Sequence, residues 1–128
     1  MIIDSSAIVA IVLREPGFEA VIGKLDGATY AGIGAPTLVE TAVVLSARLG
    51  RDARGLLARL LDEAGIATVP FTEAHYGVAV DAWLAFGKGR HPAQLNFGDC
   101  LAYATAKAAR QPLLCVGEDF AKTDLELA

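Results

Sequence analysis

The chain has 128 residues, of which 54% are hydrophobic and 20% charged, and its 11 basic against 15 acidic side chains leave a net charge of −4. That length is one domain, residues 1–128, long enough to bury a genuine core, and its acidic balance excludes a protein that coats nucleic acid by bulk charge. Mean hydropathy is +0.44, which predicts a sheet covered on both faces and some apolar surface kept for another chain.

The elements read off in order. Met1-Ile2-Ile3 is a short buried strand ending at Asp4. Ser5 or Ser6 is placed to cap a helix over Ala7–Leu13. Pro16 opens a second helix carrying Phe18, Val21, Ile22 and Leu25, and Asp26-Gly27 is a turn. Ala28 to Ile33 reads as a second strand, weakened by Gly32 and Gly34. A helix starts at Pro36 and stops at Gly50; the next spans Asp52–Glu63, with Leu56, Leu57, Leu60 and Leu61 on one face.

Ile66–Val69 is a third strand, and Thr72 caps a long helix from Glu73 to Phe86. Gly87-Lys88-Gly89-Arg90-His91-Pro92 is a polar loop. The helix containing Asp99 follows and runs to Ala109, and Pro112–Val116 is the fourth strand. Short apolar strands alternating with helices predict a parallel sheet between two helical layers. Such sheets bind ligands beyond the carboxyl ends of their strands.

The longest strongly apolar run, Ala7–Leu13, spans seven residues, whereas a membrane helix needs about 20. The first residues lack the basic stretch and apolar core of a secretory signal, which points to a cytoplasmic home. Cys100 and Cys115, the only cysteines, read as buried thiols and fit no zinc-ligand spacing.

The chemistry lies in acids set among apolar residues. Asp4 ends the first strand; Glu40 sits between Leu38, Val39 and Val43; Asp99 opens a nearly uncharged helix; Glu118 and Asp119 follow the last strand. An ionised carboxylate in such a setting needs a partner. At about 4 Å, two of them repel by roughly 4 kcal/mol at an effective dielectric near 20. A divalent cation offsets that repulsion, and all-oxygen donors favour Mg2+ or Mn2+ over zinc. Such an ion activates water and stabilises charge on a phosphoryl oxygen. Each acid taken alone also has a plain structural reading: Asp4 and Asp99 as helix N-terminal acids, and Glu40, Asp119 and Asp124 as surface residues.

The motifs Ile2-Ile3-Asp4-Ser5-Ser6-Ala7, Pro36-Thr37-Leu38-Val39-Glu40, Gly87–His91 leading into Leu95-Asn96-Phe97-Gly98-Asp99-Cys100, and Gly117-Glu118-Asp119-Phe120 with Thr123-Asp124 together resemble the PIN-domain ribonucleases, specifically the VapC toxins of type II toxin–antitoxin pairs. The resemblance covers essentially the whole chain. It implies a three-layer α/β/α domain with a central parallel sheet of four or five strands and an acidic pocket for Mg2+ or Mn2+. It also implies endonucleolytic cleavage of RNA.

By residue, the resemblance carries metal binding onto Asp4 and Asp99 and completion of the site onto Glu40. The fourth acid is Asp119, with Glu118 and Asp124 as alternatives, because Gly117 stands where many members place it. Ser6 matches a supporting hydroxyl that donates to a carboxylate or caps the helix. Asn96 either donates near the site or caps the helix of Asp99. Lys88, Arg90 and His91 are candidates for phosphate contact. His75 reads as an exposed helix residue. Phe97, Trp83 and Tyr103 read as core or interface.

The resemblance further implies a small antitoxin partner laid in an apolar groove, with the helices Pro36–Leu49 and Asp52–Glu63 as its walls, and a homodimer. A phosphoacceptor receiver domain is disfavoured, since Asp4 is followed by two serines and no lysine follows the last strand. A DNA nuclease of the same superfamily and a non-catalytic binding module with this fold are the remaining alternatives.

Overall fold

The computed structural model describes residues 1–128. Strands β1 (Ile2–Ile3), β2 (Ala31–Gly34), β3 (Ile66–Val69) and β4 (Leu113–Leu114) form one parallel sheet in the order β3-β2-β1-β4. The helices are α1 (Ser5–Leu13), α2 (Phe18–Asp26), α3 (Ala35–Leu49), α4 (Arg54–Glu63), α5 (Glu73–Phe86) and α6 (Phe97–Ala109), and a 3-10 turn spans Phe120–Lys122. No helix is long and apolar enough to cross a membrane.

Side-chain alternation along the strands divides the core into two layers. Ile3, Ile33 and Leu114 pack with Ala7, Ile8, Leu45, Leu57 and Leu61 of α1, α3 and α4. Ile2 and Leu113 point the other way, onto Ala79 and Ala82 of α5 and onto Cys100, Tyr103 and Ala104 of α6. Two residues of β1 therefore tie both helical layers to the sheet. Leu45 is fully buried in the first layer. Leu45→Ala should cost about 2–5 kcal/mol, read as a lower urea midpoint at unchanged slope.

Helix α6 is the most deeply embedded, with Ala102, Tyr103, Ala104, Thr105 and Ala106 all buried. Its small side chains bring it close to the sheet. Gly34 of β2 takes part in that approach, because a Cβ there would stand 2.7 Å from Thr105 Oγ1.

Several boundaries differ from the sequence reading. Asp4, not Ser5 or Ser6, is the N-cap of α1, and its side chain accepts from the Ser6 amide. Helix α2 opens at Phe18 behind Gly17, whose left-handed φ of 88° sets the turn, so Pro16 lies outside it. Strand β2 starts at Ala31 rather than Ala28, and α4 starts at Arg54 rather than Asp52. β4 keeps only Leu113 and Leu114 of the predicted Pro112–Val116.

The sheet is not covered along its whole width. Ala67 and Thr68 of β3 are exposed, because β3 is an edge strand with a single neighbour, β2. The predicted loop after Gly87 is tightly turned, and Gly87 and Leu95 form an isolated parallel bridge across it.

Candidate active site

The sheet order fixes where a site forms. The chain passes from β1 outward to β2 and β3, then returns to place β4 on the far side of β1. The crevice of a doubly wound sheet lies at that reversal, beyond the carboxyl ends of β1 and β4. Asp4 follows β1 directly, and Glu118 and Asp119 lie just past β4.

Asp4 is 3% exposed. Its Oδ2 accepts from the Ser6 amide at 3.1 Å and from Ser6 Oγ at 2.6 Å. Ser6 Oγ in turn accepts from the Val116 amide at 3.0 Å, which joins the start of α1 to the segment after β4. Ser6 thus supports the carboxylate and does not cap the helix. The other oxygen, Oδ1, is buried with no hydrogen-bond partner. Burial is the largest influence on Asp4 and raises its pKa against the lowering by the Ser6 hydrogen bonds, and the Glu40 charge raises it further.

Asp99 stands in the first turn of α6. Its Oδ2 accepts from the Asn96 amide at 3.0 Å while Asn96 Oδ1 accepts from the Asp99 amide at 2.9 Å. This is a reciprocal cap, in which Asn96 caps α6 through its Oδ1. Burial pushes Asp99 up to about 6 despite the Asn96 hydrogen bond, and the negative charges of Asp4, Glu40 and Asp119 add to the rise. Asp4, Glu40 and Asp119 are thus near enough for their charges to act on Asp99. Asp119 is exposed, one residue before the buried Phe120 that anchors the 3-10 turn.

Glu40 reaches from α3 to the first turn of α6, where its carboxylate lies against Gly98. Between them runs a cleft of about 350 Å3 lined by Pro36, Thr37, Val39, Glu40, Phe97, Gly98 and Leu101. Thr37 Oγ1, on the same cleft, is the second buried polar atom with no partner. Nothing in the sequence singles out this threonine, because the signal is its burial and not its position after a proline.

The three ion pairs of the chain are Arg54–Asp52, Arg59–Glu63 and Lys107–Asp124. Asp4, Glu40, Asp99 and Asp119 take part in none of them. Asp124, an alternative fourth acid, is engaged elsewhere: it accepts from Tyr103 Oη at 2.6 Å and from Lys107 Nζ at 2.7 Å. Both bonds lower its pKa. Glu118 acts on Cys115, whose thiol is raised to about 11, mainly by burial.

The donor set fits a hard divalent cation. It offers carboxylate oxygens only, one of them buried and unpartnered, with no basic side chain to neutralise them. The acids share a rim without forming a closed ligand cage, since no three of them are gathered at ligand distance.

Among the remaining sequence candidates, Arg90, His91 and His75 have their own partners. Lys88 is exposed. The Arg90 guanidinium lies 4.8 Å from the Trp83 ring centre, and its Nε donates to Leu84 O at 3.3 Å. His91 Nδ1 accepts from the Ala93 amide at 3.0 Å, and its ring meets Phe86 edge-on. His75 is not a free surface residue: its Nδ1 accepts from the Thr72 amide at 3.0 Å and its ring leans on Phe71. Tyr103 belongs to the core, whereas Phe97 is 80% exposed and Trp83 is 43% exposed.

With this fold and rim in view, the comparisons with known proteins identify the family. The chain belongs to the PIN domain family, which matches residues 1–126, and within it to the VapC ribonucleases. The VapC ribonuclease Mb2004c of Mycobacterium bovis and ribonuclease VapC36 of Mycobacterium tuberculosis are each 49% identical to it over 127 residues, 98% of this chain and 91% of theirs. Ribonuclease VapC of Mycolicibacterium smegmatis is 39% identical over 125 residues, 98% of this chain and 97% of its own.

Among solved structures, Mycobacterium tuberculosis VapC20, described as a sarcin–ricin loop cleaving toxin, superposes with a TM-score of 0.79 at 16% identity over 99% of this chain and 97% of that one. A toxin–antitoxin complex from Klebsiella pneumoniae gives 0.72 at 14% identity, covering 99% of this chain and 95% of that one. At those identities the superpositions establish the fold, a three-layer α/β/α domain around a four-stranded parallel sheet.

Proposed function

We propose that this protein is an endoribonuclease that depends on a divalent cation, Mg2+ or Mn2+, and acts as the toxin of a toxin–antitoxin pair. The observation that carries the metal assignment is Asp4 Oδ1, a buried carboxylate oxygen with no partner beside acids that no cation of the chain neutralises. The names of the 49%-identical relatives support RNA as the substrate class.

When bound, the cation supplies charge neutralisation at the phosphoryl oxygen and acidifies the attacking water. Asp4 and Asp99 would hold it, with Glu40 and Asp119 completing the acidic wall. Ser6 fixes the Asp4 carboxylate by holding Oδ2, which leaves Oδ1 to act as ligand. Lys88, Arg90 and His91 lie on the loop before α6, where the Lys88 and Arg90 cations and the His91 ring would contact the phosphate backbone of a bound strand.

The antitoxin reading has support in the toxin–antitoxin neighbour and in a groove of about 820 Å3 between α1, α2 and α4, lined by Ile11, Val12, Leu56 and Leu60 with Arg14 and Arg51. This groove is the largest on the molecule, and none of Asp4, Glu40, Asp99 and Asp119 lines it. It uses α4, as the sequence reading expects, but α1 and α2 form its other wall in place of α3. A homodimer would cover the exposed apolar side chains Tyr76, Val80, Trp83 and Leu84 of α5.

The test is digestion of single-stranded RNA and flap DNA by the purified protein, with Mg2+ or Mn2+ and with EDTA. RNA cleavage that EDTA abolishes and Mn2+ restores is the expected result. Cleavage of DNA alone, or cleavage unaffected by EDTA, would overturn the assignment.

A further inference from the structure

Gly98 is a helical residue whose backbone does not call for glycine. Its φ is outside the left-handed region, and glycine is among the weakest helix formers. The reason for it is space. A Cβ built on Gly98 would overlap Glu40 Oε2 and come within 2.8 Å of Glu40 Cδ. The other helical glycines differ: a Cβ on Gly23, Gly55 or Gly77 meets nothing within 4 Å. The absent side chain of Gly98 is therefore the seat of the Glu40 carboxylate, one residue before Asp99, which feels the Glu40 charge.

We propose that Gly98 is a positioning residue, whose bare Cα lets the Glu40 carboxylate reach the acidic rim beside Asp99. This inference rests on the divalent-cation reading of that rim. The overlapping atoms are the far end of a flexible side chain, so a methyl group at position 98 displaces the carboxylate and leaves the helices in place.

The test measures Mn2+ affinity of the metal-free protein by calorimetry, together with RNA cleavage, in wild type, Gly98→Ala, Glu40→Gln, the double variant, and Gly77→Ala as control. Gly98→Ala and Glu40→Gln should each weaken Mn2+ binding at least tenfold. The double variant should be no weaker than Glu40→Gln alone within about twofold, because both changes act through one carboxylate. Gly77→Ala should bind like wild type.

Wild-type Mn2+ affinity in Gly98→Ala while Glu40→Gln is impaired, or losses that multiply in the double variant, would overturn the role of Gly98 and leave the acidic site standing. Wild-type affinity in Glu40→Gln would take Glu40 out of the metal site and overturn this inference, while loss of binding in Asp4→Asn and Asp99→Asn would still show the site. If Gly98→Ala unfolds, Glu40→Ala/Gly98→Ala decides the matter: recovered stability supports the contact, and no recovery refutes it.

Discussion

Asp4→Asn and Asp99→Asn should each lower RNA cleavage by at least about 100-fold, more than removal of an outer-shell partner of a metal site usually costs, and should raise the stability of the metal-free protein. Both effects follow from the same geometry. Each carboxylate is held in a setting that disfavours its charge, Asp4 by near-complete burial and Asp99 by burial next to other acids. Asparagine is isosteric, caps a helix about as well as aspartate, and carries no charge to desolvate. Asn at position 4 can still accept from the Ser6 amide, and Asn at 99 can still accept from the Asn96 amide, so α1 and α6 keep their caps. For Asp99 the shift corresponds to about 1–2 kcal/mol once solvent access to a half-buried carboxyl is allowed for, or about 3–8 °C in Tm for a domain of this size. Thermal melts in EDTA and cleavage assays in Mg2+ on the same samples check the two signs together. A variant that loses activity and melts lower would have lost its fold and not its site.

The second large effect is a dependence of stability on pH that metal removes. Asp99 has an ordinary pKa of 3.8 when unfolded and about 6 in the fold. Between those values the folded state holds the proton and the unfolded chain has released it. The Asp99 contribution to stability of the metal-free protein is therefore fully present below about pH 4, declines as pH rises through about 6, and is gone above that. Asp4, raised in the same direction, adds to the decline. A bound cation favours the ionised carboxylates, so Mg2+ should stabilise the protein at pH 7.5 and lose that effect at pH 4.5. Asp99→Asn should flatten the metal-free profile between pH 4 and 6. Urea titrations at intervals of half a pH unit, with and without Mg2+, measure this.

Much of the fold is legible in the sequence because its signals are local. The apolar run at β1, the glycine stop of α3 at Gly50, the Thr72 cap of α5 and the apolar stripe of α4 each act within a few residues. Boundaries fail where two neighbours can do the same job. Asp4, Ser5 and Ser6 are all competent caps, and only the packing of β1 against β4 determines that Asp4 turns the chain while Ser6 reaches its carboxylate. The run Ala28–Tyr30 is as apolar as a strand, yet pairing begins at Ala31 because that is where β3 comes into register, opposite Ile66.

The acids of the site are legible as individual misfits, an Asp or Glu among Leu, Val and Ala. Their meeting is not, since it depends on strand order. The engagement of Asp124 by Tyr103 and Lys107 and the seating of Glu40 on Gly98 arise from contacts between distant helices and loops, and no spacing in the chain encodes them. The same holds for the groove against α4, whose partners are α1 and α2 and not the adjacent α3.

The claim on which the rest depends is that Asp4 and Asp99 bind one divalent ion between them. Calorimetric titration of Mn2+ into metal-free protein at pH 7.5 tests it directly, in wild type, Asp4→Asn and Asp99→Asn. Saturable binding in wild type that disappears in both variants is the result this structure predicts. Absence of binding in the wild-type protein, or undiminished binding in either variant, would contradict it.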